Sequence, residues 1–355
     1  MRNPLSVCII KPVNGVCNIC CDYCYMHLLL EPQRSNRATM TTETLSATID
    51  FFCSNQDEVE FIWHGGEPLL AGMEFYHEVV RLQEVWQSRG KKIANFIQTN
   101  GTLVDEGWGK LFAKHNFYVG VSLDAPPNVH NALRVNTAGL SSLQKTLEGI
   151  SILKQYDVFI GVTCCVGKSN YLRPEKILSF FLELGIKSIK FLRIKGNNHE
   201  AITAHQYADF LIKIFNLWLE LDDVDLEIRD IKSIVNLLFG GEFRECWLTG
   251  RCDRYATVYS DGTIFTCDSF RNEPHLQFGT VFESYSEVLR SSNFRNFLAT
   301  IEKAKEPCKS CRWQLLCRGG CLKDRIGNEN SDMCSANKRL FVEIESSLKK
   351  YGLLV

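Results

Sequence analysis

Short apolar runs rich in β-branched and aromatic residues alternate, through the first half of the chain, with stretches whose apolar residues return every three or four positions. The runs at 7–10, 59–63, 93–97, 118–122, 158–166 and 188–194 predict strands. The stretch 74–88 predicts a helix, because Phe75, Val79, Leu82 and Trp86 recur at i, i+4, i+7 and i+11 and form one buried stripe. Strands that alternate with helices fold as a parallel sheet. Six β/α units are too few to close an eight-stranded barrel, so the expected fold class is α/β, a partial (β/α)6 TIM barrel with its chemistry at the carboxyl ends of the strands. After Lys195 the pattern becomes amphipathic helix, at 204–221 and 230–239, and no further strand is expected to join the barrel. Gly240-Gly241 marks a break. From Cys246 to Cys334 the chain is loop-rich, and a last helix at 336–350 carries Leu340, Ile344 and Leu348 to dock that segment back. The expected domains are 1–200, the partial barrel; 201–241, a helical linker region; 242–340, a cysteine-rich domain; and 341–355, a C-terminal helix.

Composition narrows the chemistry. The 355 residues are 45% hydrophobic, enough for a substantial core, and Lys+Arg 40 against Asp+Glu 41 leaves no basic field to attract nucleic acid. The segment before Cys17 is too short for a signal peptide, and no run of 18 apolar residues occurs, so a cytoplasmic location away from the membrane is expected. In a reducing compartment 16 cysteines are not a disulfide framework, which makes metal or redox chemistry the default.

Four thiols fall within Cys17-Asn-Ile-Cys20-Cys21-Asp-Tyr-Cys24, directly after the first strand. Read as C-x3-C-x2-C, three of them wrap three corners of an iron–sulfur cube and leave one iron open for a substrate. The set Cys17, Cys20 and Cys24 is a second reading, and zinc a third. Cys246, Cys252, Cys267, Cys308, Cys311, Cys317, Cys321 and Cys334 add eight more thiols, the number two four-cysteine clusters need. Little apolar periodicity accompanies them, so metal ligation is expected to supply folding energy there.

The loop at Cys17, Cys21 and Cys24 resembles that of radical S-adenosylmethionine (SAM) enzymes, and the C-terminal array is similar to the SPASM extension of their peptide- and protein-modifying members. The overall layout resembles anaerobic sulfatase-maturating enzymes and maturases of ribosomally made peptides (RiPPs), including those that form cyclophanes. The resemblance implies three 4Fe-4S clusters and bound S-adenosylmethionine. It assigns Cys246, Cys252, Cys267 and Cys321 to one auxiliary cluster, and Cys308, Cys311, Cys317 and Cys334 to the other. It also puts Tyr23 in the aromatic position before the last loop ligand, at the adenine edge, and leaves Cys20 unligated. Cys8, Cys53, Cys164 and Cys165 read as inert packing.

Gly65-Gly66-Glu67-Pro68, after the second strand, is similar to the family's GGEP cofactor motif; its glycines permit close backbone approach, and Glu67 or strand-end carbonyls suit an ammonium group. Asn100, Ser122 and Asp124 stand at later strand ends, and the resemblance adds Arg134 near the cofactor or substrate, with a bidentate pair to a carboxylate in reach. Leu192 is a core leucine by pattern and an adenine contact by resemblance. Asp268, directly after Cys267, reads either as a hairpin carboxylate following Ser260-Asp-Gly-Thr or as the base that takes a proton once a 5′-deoxyadenosyl radical has abstracted a substrate hydrogen. The expected partners are a peptide or protein substrate, either a precursor peptide or a sulfatase, and an external low-potential electron donor. His64 before GGEP, followed by Leu69-Leu-Ala-Gly, resembles crosslinking maturases at least as well as sulfatase maturases, where glutamine is common at that place. The chain starts directly at the first strand, which fits a compact maturase without a leader-binding domain. A different class, an electron-transfer iron–sulfur protein or zinc-binding module, predicts no cleavage of S-adenosylmethionine.

Overall fold

The computed structural model describes residues 4–28, 39–242, 245–270, 273–326 and 333–354. Its contacts divide the chain into two compact units, Met1–Ser122 with Arg134–Ile160 and Cys252–Thr300, and Leu123–Leu133 with Gly161–Arg251 and Ile301–Val355. The described strands are β1 (Val7–Lys11), β2 (Ile19–Cys21), β3 (Glu58–Trp63), β4 (Lys92–Thr99), β5 (Tyr118–Ser122), β6 (Arg134–Asn136), β7 (Ile160–Val166), β8 (Ser188–Arg193), β9 (Glu227–Ile228), β10 (Tyr255–Tyr259), β11 (Thr263–Phe265) and β12 (Gln277–Thr280). Six of them lie where the apolar runs place strands.

In the first unit the sheet order is β12-β11-β10-β1-β3-β4-β5, with β10 through β5 parallel and β11 and β12 antiparallel at the edge. Alternation fixes the faces. Val59, Phe61 and Trp63 of β3, and Asn95, Ile97 and Thr99 of β4, are buried, as are Val119 and Val121 of β5. Trp63 donates its indole N–H to Asn95 (2.9 Å), whose amide in turn bonds Gln83, so the polar atoms beneath this face are satisfied. The opposite, less buried face ends in His64, Gln98 and Ser122.

Two expectations needed correction. Strands do follow Lys195: β10 joins β1 in parallel, and β9 extends β8. The run Tyr255-Ala-Thr-Val-Tyr has four consecutive buried residues, so it lacks the alternation that marks a half-exposed strand. The helix Met73–Gln87 forms as expected, but its deepest positions are Tyr76, Val79, Val80 and Gln83, with Phe75, Leu82 and Trp86 at the margin. Tyr76 fills the space between Trp63 and Trp108, with ring centroids 5.6 and 5.3 Å away.

In the second unit β7, β8 and β9 run parallel. The helix Ala204–Leu221 begins at a capping box of Thr203 and Gln206. Ala204, Ala208 and Ala336 pack together, and such small residues let it lie close to the final helix, Cys334–Lys350. Leu340, Ile344 and Leu348 are buried on that helix as the periodicity requires. No helix among the described residues is long and apolar enough to cross a membrane.

Candidate functional site

The cysteine loop leaves the carboxyl end of β1 and is tied down by backbone geometry. Gly66 has φ +49°, and a Cβ there would lie 2.0 Å from the carbonyl oxygen of Val16, the residue before Cys17. The Glu67 N–H donates to that same carbonyl (2.8 Å). The close approach that glycine permits is therefore to the base of the cysteine loop. Gly65 is also left-handed, at φ +87°. Pro68 opens the short helix Pro68–Ala71, for which Glu67 is the N-cap.

Glu67 is fully buried, and its carboxylate accepts from the Leu69 N–H (3.1 Å), the Thr99 hydroxyl (2.7 Å) and the Asn100 N–H (2.7 Å). Burial pushes its pKa up to about 7 against the pull of these donors. The Asn100 side chain in turn reaches Asn18 (2.9 Å) and the Cys17 sulfur (3.7 Å). Burial raises the Cys17 thiol to about 11. Strand β2 pairs with β6 so that Cys21 stands opposite Arg134, whose guanidinium lies 3.7 Å from the Cys21 sulfur and 5.3 Å from the Tyr23 ring centroid. Ser122 accepts from Gln98 (2.9 Å). The thiols of Cys17, Cys21 and Cys24 are half-buried, with Asn100 against Cys17 and Arg134 against Cys21, and thiols are the ligands that an iron–sulfur cluster takes.

A second group surrounds Asp268 in the same unit. Tyr25 donates its hydroxyl to Asp268 Oδ2 (2.7 Å), Lys11 Nζ lies 3.5 Å from that oxygen, and His64 Nδ1 lies 3.7 Å from it. Burial raises the Asp268 pKa, but Lys11, His64 and the Tyr25 hydroxyl outweigh it and hold the carboxyl below its ordinary value. Burial lowers Lys11, opposed by Asp268, and lowers His64. Lys11 is wholly buried, 5.4 and 5.6 Å from the ring centroids of Tyr25 and Tyr259. Neither Lys11 nor Tyr25 was singled out in the sequence. A lysine ending an apolar strand, and an aromatic directly after the last loop thiol, were the available signals.

In the second unit Asp124 is buried, and its Oδ1 accepts from the Cys165 N–H (2.9 Å). Leu192 is 45% exposed on β8 rather than a core residue. Cys308, Cys311, Cys317 and Cys334 line one cavity with Arg325, Asn337 and Phe341. Burial and the three neighbouring thiols push Cys317 up to about 11. Four thiols on one cavity match in number and kind the ligands that a four-iron cluster takes. Cys252 and Cys267 belong to the first unit, Cys246 and Cys321 to the second. Glu245, next to Cys246, is paired with Lys190 (2.6 Å), which also pairs with Asp230 (2.5 Å). Of the remaining cysteines, Cys8, Cys53 and Cys164 are buried, Cys165 is half-buried and Cys20 is exposed.

Comparison with known proteins gives the family and the fold. The radical SAM superfamily matches residues 12–181, and the SPASM iron–sulfur cluster-binding domain matches residues 246–312. The cysteine-type anaerobic sulfatase-maturating enzyme of Clostridium perfringens is 30% identical over 95% of each chain. A serine-type counterpart from Bacteroides thetaiotaomicron is 30% identical over 91% of this chain and 84% of its own. The solved structure of native anSMEcpe with bound AdoMet and Cp18Cys peptide superposes with a TM-score of 0.88 at 28% identity, covering 97% of this chain and 98% of that one. The domains imply 4Fe-4S clusters and S-adenosylmethionine. The chain belongs to the family of anaerobic sulfatase-maturating enzymes within the radical SAM superfamily, and it is a radical SAM/SPASM enzyme that modifies a peptide or protein.

Proposed function

We propose that the chain matures a ribosomally made precursor peptide, oxidising or crosslinking a side chain after hydrogen abstraction at its β-carbon. The observation that carries this reading is His64, which stands 3.7 Å from Asp268 and 3.5 Å from the Tyr25 hydroxyl, where the sulfatase maturases it resembles commonly have glutamine. When bound, the loop cluster and S-adenosylmethionine supply the 5′-deoxyadenosyl radical that abstracts the hydrogen. Gly65, Gly66 and Pro68 shape the cofactor's place, Glu67 acts through Asn100 and Thr99, and Tyr23, Ser122, Asp124, Arg134 and Leu192 complete the proposed surround. Asp268 takes the proton that the substrate radical releases, and the auxiliary clusters of this reading would accept the electron lost with it. Lys11 and Tyr25 hold the aspartate in place and ionised. His64, with 29% of its side chain exposed, offers that proton a way out.

Three 4Fe-4S clusters belong to this reading: Cys17, Cys21 and Cys24; Cys246, Cys252, Cys267 and Cys321; and Cys308, Cys311, Cys317 and Cys334. So do an external low-potential reductant, a cytoplasmic location, and the assignment of 1–200 to the radical SAM barrel and 242–340 to the SPASM domain. A second reading, oxidation of a sulfatase Cys or Ser to formylglycine, is favoured by the 30% identity that runs over 95% of each chain.

Mass spectrometry of the candidate substrate after anaerobic turnover decides between them. A crosslink appears as loss of two hydrogens, no aldehyde-reactive group, and missing fragment ions between the joined residues. Formylglycine reacts with an aldehyde probe, and its appearance in a sulfatase would replace the first reading by the second. Asp268→Asn should go on releasing 5′-deoxyadenosine while product is lost; normal product formation would remove Asp268 as the base.

A further inference from the structure

Arg325 is an unusual cation in the second unit. Its residue is only 7% exposed, and among the described residues no carboxylate is paired with it. One terminal nitrogen donates to the Cys308 sulfur (3.0 Å) and to the Gly319 carbonyl (2.9 Å). That carbonyl belongs to a run of three left-handed residues, Arg318, Gly319 and Gly320, with φ +48°, +98° and +71°, which turns the chain just after Cys317. Among the described residues the buried Arg325 Nε has no hydrogen-bond partner. An orphaned buried donor is costly, and Arg325 is one of the residues that line the cavity shared by Cys308, Cys311, Cys317 and Cys334.

We propose that Arg325 donates hydrogen bonds to the cluster held by these four cysteines and raises its reduction potential; this rests on the reading that the four thiolates hold a 4Fe-4S cluster. Reduction adds one negative charge to an already anionic, buried centre. A fixed guanidinium stabilises the reduced form more than the oxidised one, and hydrogen bonds to cluster sulfurs act in the same direction. The planar guanidinium, held by the Gly319 carbonyl, keeps its terminal nitrogen and its charge on the Cys308 thiolate, a ligand of the proposed cluster. Lysine keeps the charge and loses the fork.

The test is an EPR-monitored redox titration of the full-length, anaerobically reconstituted enzyme, with iron and sulfide counted in each sample. Cys311→Ala identifies the signal by removing it. Arg325→Gln should retain iron and move that one signal to lower potential, with the other signals unmoved, and Arg325→Lys should move it less. An iron-loaded Arg325→Gln that titrates at the native potential overturns the proposal. If Arg325→Gln loses the cluster, Arg325→Lys decides alone: a downward shift supports tuning, and an unshifted signal, or loss of the cluster here too, makes Arg325 a folding residue and overturns it. The underlying reading fails differently, by unchanged iron and signals in Cys311→Ala.

Discussion

The strand-end site of the first unit and the thiol-lined cavity of the second are built by different means. Around Cys17 the work is done by a parallel sheet whose strand ends are fixed by backbone hydrogen bonds, with Glu67 bonded to Val16, Leu69, Thr99 and Asn100. Around Cys308 and Cys334 the thiols hang on short pieces, the four-residue helix Gln314–Cys317, a left-handed turn and the first residue of Cys334–Lys350. Few backbone ladders hold them there, and buried charge takes over, with Arg325 at the cavity and Lys190 paired with Glu245, the residue before Cys246. A site on the ends of paired strands is pre-formed, whereas one on loops depends on ligands and ion pairs for its order.

The largest expected effect tests the second region. Lys190 is buried between Asp230 and Glu245; burial lowers its pKa, but the two carboxylates outweigh that and hold it above the ordinary value. Lys190→Met leaves two buried carboxylates with one partner fewer, which should cost about 3–5 kcal/mol. Urea denaturation measures it, and a loss below about 1 kcal/mol would mean that buried charge does not support this unit. Next comes the first region. Gly66→Ala puts an L side chain at φ +49° and a Cβ against the Val16 carbonyl. The left-handed backbone costs roughly 1–2 kcal/mol and the overpacking about 1–3 kcal/mol. Calorimetry of S-adenosylmethionine binding should show affinity lost along with stability; unchanged binding would separate the Gly65-Gly66 turn from the cofactor site.

The same difference governs what the sequence reveals. Periodicity exposes strands such as β3 and β4 because one face is buried and one is not, and cysteine spacing exposes the loop at Cys17. It conceals β10, whose Ala256, Thr257, Val258 and Tyr259 are all buried, and whose place beside β1 is set by contacts more than 240 residues apart along the chain. Asp268 is visible only through its neighbour Cys267, while Lys11 and Tyr25 become site residues only once β1 and β11 are brought into one sheet. Arg325 is one arginine among the 40 basic residues until its guanidinium is seen against Cys308.

A smaller effect sharpens the sheet side of the contrast. The folded Glu67 carboxyl holds its proton more tightly than it does unfolded, since burial raises its pKa from 4.5 to about 7. Its contribution to stability is full below pH 4.5 and is lost as pH rises through about 7. At ~1.4 kcal/mol per unit this amounts to roughly 3 kcal/mol at most. The stability difference between the native chain and Glu67→Gln should therefore change with pH across that window, native losing ground as pH rises. A difference that stays constant from pH 5 to pH 8 would show that the three donors, not burial, set the carboxylate's state.

The smallest expected effect is at Cys20. Strand β2 points successive side chains to opposite faces, and Cys20 is exposed while Cys21 is half-buried opposite Arg134. Cys20 and Cys21 therefore cannot serve the same cluster from one regular strand, and the contacts of Cys17 with Asn100 and of Cys21 with Arg134 favour Cys21. Cys20→Ser should change stability by less than about 0.5 kcal/mol, as exposed substitutions usually do, and should leave the iron content and 5′-deoxyadenosine release at native levels. Cys21→Ser, one residue on, should abolish that release. Reversal of the two results would move the ligand set to Cys17, Cys20 and Cys24. It would also mean that β2 breaks its pairing with β6 to bind the cluster, so that the strand-end site would owe its form to its metal as much as the loop-built one does.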